Sequence, residues 1–219
     1  MKLPPFYKLG SNFDRCAELL NPEVLEQIDG VEVHKFRSSE PLKCLVRKKS
    51  FGDMIWTYPT HCFISERLLG LFKDEGLTGF ETKSANMKLV FEHDPADRIF
   101  HQLIVTGWGG VADPRSGIVQ VPSDRSKHAY STPTDSSLIF DESQWDGSDF
   151  FLIFPLTGSR FVSARVIGLL EKFKVKYYTS KPIANYLGAT EIYPAPLRCY
   201  YSDERALELG GKLGIDWWK

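Results

Sequence analysis

Two stretches of this sequence match one another, and that match constrains the fold more than any other feature. Asp53-Met-Ile-Trp-Thr-Tyr-Pro59 returns in outline as Asp149-Phe-Phe-Leu-Ile-Phe-Pro155. Phe63-Ile-Ser-Glu-Arg-Leu-Leu-Gly-Leu-Phe72 returns as Phe161-Val-Ser-Ala-Arg-Val-Ile-Gly-Leu-Leu170, an offset of 98 residues (63 to 161). Internal self-similarity marks a supersecondary unit used more than once. The expected fold is therefore α+β: two pseudo-repeated strand–helix–strand units on a mixed or antiparallel sheet. What recurs is apolar or cap-forming, and no repeated segment carries an evident catalytic group.

Local patterns fill in the units. Strands are expected at 3–9, 42–48, 53–58, 77–82, 100–106, 150–154 and 175–179, with a hairpin partner at 87–92. A helix over about 65–75 has Ser65 as cap, Glu66 in its first turn, and an apolar stripe through Leu68, Leu71 and Phe72. Gly76 stands where a left-handed terminating residue belongs. The second unit repeats this with Ser163, Val166, Ile167 and Leu170, but Lys174 replaces the glycine, so that helix is expected to end differently. Residues 13–20 and 22–29 read as short helices, the second capped by Asn21-Pro22, and a last helix is expected at about 203–213. Gly107-Trp108-Gly109-Gly110 reads as a break after a strand.

Domain organisation follows. The strands beside each helix are too short to bury a core alone, so residues 1–219 are read as a single domain. Lobe one spans about 40–106 and lobe two about 145–180, joined by a long polar segment, 107–144. Polar connections of that length are often functional.

Composition narrows the function classes. The 27 basic and 28 acidic residues balance, which argues against a nucleic-acid footprint. The N-terminal residues lack the apolar stretch of a signal peptide, and no run is long enough for a membrane helix. A cytoplasmic protein with no membrane or nucleic-acid partner is expected. Cys16, Cys44, Cys62 and Cys199 are scattered, with no Cys-x-x-Cys pair, so no metal and no cofactor is expected from them.

Several clusters have the residue types for chemistry. Glu92-His93-Asp94, Asp97 and His101 suit a metal or an acid–base pair, but the spacing is not that of a helical zinc site, and Asp94-Pro95 reads as a turn. The glycines at 107–110 lack the lysine–serine partner of a phosphate loop. Thr157-Gly158-Ser159-Arg160 could bind an anion through backbone amides, though it also reads as the approach to a helix cap. Arg67 and Arg165 recur at equivalent places and are expected to make the same ion pair twice. Asp141-Glu142-Ser143-Gln144-Trp145-Asp146-Gly147-Ser148-Asp149 is acidic around one large aromatic, the composition of a recognition surface for a basic partner.

The pattern Trp/Phe-x-x-Pro, then Phe-Ile/Val-Ser-x-Arg, an amphipathic helix and an exit strand resembles bacterial immunity proteins, specifically the double-CxxCG family of myxobacteria and its relatives. The matching parts are 55–81 and 145–178, about half the chain. The resemblance implies a cytosolic antidote to a toxin delivered between neighbouring cells. The CxxCG pair that names the family is missing, so zinc does not carry over, and the resemblance brings no catalytic residue.

Two readings result. The first is a non-catalytic immunity protein that occludes a cognate toxin, with Trp108, Asp141, Glu142, Trp145, Asp146 and Asp149 as the partner-binding residues. The alternative is a metal-dependent hydrolase or nucleotide-processing enzyme in which Asp94, Asp97, His101 and Asp113 converge on a metal. A lesser third reading has the chain dimerising through Trp217 and Trp218.

Overall fold

The computed structural model describes residues 5–11, 16–19, 25–28, 31–34, 41–46, 52–57, 61–89, 99–124, 128–133, 137–185, 191–194 and 196–214. The strands, in chain order, are β1 (Phe6–Ser11), β2 (Cys16–Leu19), β3 (Leu25–Ile28), β4 (Val31–His34), β5 (Lys43–Val46), β6 (Met54–Thr57), β7 (Cys62–Ser65) and β8 (Phe80–Leu89). They continue with β9 (Phe100–Val105), β10 (Gly107–Val111), β11 (Val119–Val121), β12 (Ala129–Ser131), β13 (Phe150–Phe154), β14 (Arg160–Ser163), β15 (Tyr178–Pro182) and β16 (Glu191–Ile192). Helices are α1 (Glu66–Asp74), α2 (Ala164–Lys172) and α3 (Asp203–Leu213). The fold is α+β with mixed sheets.

Strands β2-β5-β8-β9-β7-β6 close into a barrel, and β10-β13-β14-β1-β15 form a five-stranded sheet. Small sheets of β11-β12-β16 and β3-β4 complete the described strands. A single cluster of buried side chains runs from the barrel (Met54, Trp56, Leu103) through α1 and α2 (Leu68, Phe72, Val166, Leu170) to the sheet (Phe150, Leu152).

The same pairings occur at two places. In the barrel, β7 lies between β6 and β9, with Ser65 facing Phe100, and β8 covers the far side of β9, with Phe80 facing Val105. In the sheet, β14 lies between β13 and β1, with Ser163 facing Phe6, and β15 covers the far side of β1, with Tyr178 facing Ser11. The N-terminal strand thus stands beside β14 as β9 stands beside β7. The first amide of each helix region repeats this: Glu66 donates to the Ile99 carbonyl and Ala164 to the Pro5 carbonyl, both at 2.9 Å. Strand β1, whose residues lie outside 145–180, therefore pairs with both β14 and β15.

Both helices also end alike. Leu77 N–H donates to the Phe72 carbonyl and Gly76 N–H to Lys73; Val175 donates to Leu170 and Lys174 to Glu171. This is the Schellman termination, which needs a left-handed residue. Gly76 has φ 63° and Lys174 has φ 53°, so the different ending expected from Lys174 does not occur. Backbone hydrogen bonding overrides the side-chain preference at that position.

Three expectations are corrected. Residues 16–19 and 25–28 are strands, not helices: β2 seals the barrel between β5 and β6, and β3 pairs with β4 from Leu25↔His34 to Ile28↔Val31. The segment near 87 belongs to the single long strand β8, which pairs with both β9 and β5 and is not a separate hairpin arm. Gly107–Val111 is a strand, parallel to β13. A Cβ on Gly107 would lie 2.2 Å from the Phe150 carbonyl oxygen, and one on Gly109 would lie 2.5 Å from the Phe151 ring. Here the glycines permit close strand packing.

Candidate functional site

The acidic segment folds as a brace on the free edge of β10. Asp141 caps a 3-10 turn at Glu142–Gln144, its carboxylate accepting from the Ser143 amide at 2.9 Å. The Ser143 contacts hold the Asp141 carboxyl below its ordinary range, hydroxyl first and amide second. The Gln144 side-chain oxygen then accepts from Val111 N–H at 3.1 Å. Asp146 completes the brace: its carboxylate accepts from Trp108 N–H at 2.8 Å and its own amide donates to the Trp108 carbonyl at 3.0 Å. Otherwise unpaired edge groups of β10 are thereby satisfied, which protects the sheet edge.

Trp145 anchors the segment from behind. Its ring meets Phe6 edge-on at 5.0 Å and its indole N–H donates to the Ser148 carbonyl at 2.9 Å. Behind it, Asp149 is 3% exposed. Asp149 accepts from the Ser163 hydroxyl at 2.7 Å, Arg165 at 3.0 Å and the Thr78 amide at 3.1 Å. Asp53 does the same work for the first unit, accepting from the Ser65 hydroxyl at 2.7 Å and from Arg67 Nε at 3.0 Å. The ion pair expected twice is made twice.

The six residues expected to bind a partner therefore divide. Asp141, Glu142 and Asp146 are exposed, and both carboxylate oxygens of Asp141 and of Asp146 accept hydrogen bonds from within the segment or from β10. Trp145 is half-buried. Trp108 and Asp149 are turned into the protein: Trp108 packs on Tyr201 at 6.3 Å. Trp108 lies in the core, and Asp149 is held by the turn-to-helix network.

The metal-site residues are not gathered where they are described. Asp113 caps the 3-10 turn Pro114–Ser116 and holds Arg115, an ion pair that brings its carboxyl down to about 2. His101, on β9, pairs with Glu66 of α1. Asp94 and Asp97 lie outside the described residues, as do Trp217 and Trp218. Among the described residues no three His, Cys, Asp or Glu side chains group as metal ligands.

A polar cluster that the sequence reading did not isolate lies in the core. Arg160 opens β14 with its guanidinium over the Trp56 ring, 5.4 Å from the ring centroid, and is 7% exposed. Burial lowers its basicity. Beside it burial pushes the Cys62 thiol up to about 12, a shift the Arg160 charge opposes. Burial, and secondarily Cys199, raises the Tyr200 hydroxyl above its usual range. One signal for this cluster was present in the aligned segments. At the 98-residue offset, Arg160 takes the place of Cys62, and a cation inside a wholly buried strand calls for a local partner.

No protein-family model matches the chain, and comparison with curated proteins also finds no match. No helix among the described residues is long and apolar enough to cross a membrane.

Proposed function

We propose that this chain is an immunity protein that binds a toxin and blocks its active surface, with the 141–146 turn as the docking face. The observation that carries this reading is the bracing of that turn. Asp141 and Glu142 are presented to solvent from a backbone fixed to β10 through Gln144 and Asp146. Side chains on a fixed backbone lose less freedom on association, and paired carboxylates steer a basic partner toward one face. The resemblance to immunity proteins supplies the partner class, a cognate toxin met in the cytoplasm. Relative to the six residues named from sequence, the contact set is Asp141 and Glu142 with the exposed part of Trp145, while Asp146 supports them.

The test is co-purification with the product of the neighbouring upstream gene, carried in an inactivated form. A stable complex, lost on Asp141→Lys with Glu142→Lys, is the expected result. Failure to form a complex, together with a stoichiometric metal in the purified protein, would transfer the function to a hydrolase built on residues 92–113.

A further inference from the structure

The 3-10 turn Pro114–Ser116 holds an arginine beside the acidic face and leaves one edge of it open. Arg115 N–H donates to Asp113 Oδ1 at 2.8 Å. The Arg115 side chain folds back on the same carboxylate, Nε to Oδ1 at 2.9 Å and Nη2 to Oδ2 at 2.8 Å. A guanidinium carries five N–H donors in a planar fork. The ion pair uses one on Nε and one on Nη2, so the two on Nη1 and the second on Nη2 remain, along the edge turned away from Asp113. The Arg115 side chain is 75% exposed, against 20% for Asp113. The backbone beneath is fixed. Ser116, itself buried, donates through its hydroxyl to the Ile139 carbonyl at 2.9 Å and accepts from Ile139 N–H at 2.8 Å. Asp113 N–H donates to the same carbonyl at 2.8 Å, and Ala112 bridges Phe140. These bonds fasten 112–116 to the residues that lead into Asp141. The Ser143 hydrogen bonds lower the Asp141 carboxyl, and the nearby Asp113 charge opposes them. Arg115 thus stands beside the acidic turn.

We propose that Arg115 is an anchor of the docking face that takes a carboxylate side chain of the toxin on its open edge, with Asp113 as the positioning residue that aims it. This rests on the immunity reading and adds to it the charge pattern of the partner. The Nη1 and Nη2 hydrogens of one edge match the two oxygens of a carboxylate, so the contact is bidentate and directional. A long side chain already held by Asp113 has less rotamer freedom left to lose on association. Arginine placed in this way is a usual source of binding energy at protein interfaces. The toxin surface that fits is therefore mixed: basic groups meet Asp141 and Glu142, and an acidic group meets Arg115. Alternating charges of that kind fix the register of docking, and a toxin with a basic group at the Arg115 position is repelled.

The test is the affinity of the inactivated toxin for the full chain and for its Arg115→Ala, Arg115→Lys and Asp113→Asn variants, with melting temperatures measured alongside. Arg115→Ala should weaken the complex about thirtyfold and leave the melting temperature within about 2 °C of the parent, as expected for an exposed ion pair. Arg115→Lys keeps the charge but loses the fork, and should still weaken binding about tenfold. Asp113→Asn keeps a capping side chain and should weaken binding in the same direction, with no further loss when combined with Arg115→Ala. Double-mutant cycles against the toxin's Asp and Glu residues should find one whose removal cancels the Arg115 effect. A complex that forms normally with Arg115→Ala would overturn this proposal and leave the immunity reading standing. Coupling of Arg115 to no toxin carboxylate would also overturn it, as would full affinity in Arg115→Lys. A parent chain that binds no toxin would overturn both.

Discussion

At the residue scale, the two aspartates that precede the helices make the same bonds in different surroundings. Asp149 is enclosed, whereas Asp53 keeps 21% of its side chain exposed. Stranding the donors around a buried carboxylate costs more than stranding exposed ones. Asp149→Ala should therefore destabilise by about 3 kcal/mol and Asp53→Ala by about 1 kcal/mol, measured by urea unfolding. Equal losses would contradict the difference in enclosure. The thiols give a second test at this scale. Cys44 and Cys62 are buried, and burial raises each to about 12. Neither should react with a disulfide reagent at pH 8 until the protein unfolds, and rapid labelling of the native protein would argue against their burial.

At the element scale, Lys174 occupies a conformation that Gly76 adopts at no steric cost. Lys174→Gly should raise stability by about 0.5 kcal/mol, the left-handed strain relieved less the added freedom of the unfolded chain. Gly76→Lys should lower it, and chemical denaturation would read both. In α3, Lys212 and then Arg205 hold the Glu208 carboxyl down to about 2 from an ordinary value of 4.5. A depressed folded pKa means that the contribution is present above the unfolded value and is lost as pH falls from 4.5 through about 2. A carboxyl titration by NMR should place the Glu208 midpoint near the lower figure; a midpoint near 4.5 would show that the pairs are not formed. These elements also show what the sequence made legible. Helix α1 is where its capping residue and apolar spacing place it and α2 is where its apolar spacing places it, because both signals are local, whereas the Ser163 hydroxyl donates to Asp149 and makes no cap hydrogen bond. The strands β2 and β3 were misread as helices because barrel closure and cross-strand pairing, which are not local, decided them.

At the scale of the whole molecule, the pairing of the N-terminal strand, a strand expected at 3–9, is the least legible part of the fold. Pairing of β1 between β14 and β15 joins residues more than a hundred positions apart, and no local pattern announces it. Removing residues 1–11 should abolish cooperative unfolding, since β14 and β15 would lose their common neighbour; a sharp transition in the truncated chain would contradict this. The candidate site was half legible for a similar reason. An acidic run with one tryptophan is visible in sequence, but only the packing shows that Trp108 and Asp149 point inward while Asp141 and Glu142 remain on the surface.

The central claim is that the braced acidic turn docks a toxin. The most direct measurement is the affinity of the purified, inactivated toxin for the full chain and for the Asp141→Lys, Glu142→Lys variant, each at two salt concentrations. The account predicts a complex that weakens at least a hundredfold in the variant, from about 1.4 kcal/mol for each reversed charge, with most of its salt dependence lost. Equal affinity for both proteins would place the binding face elsewhere and contradict the account.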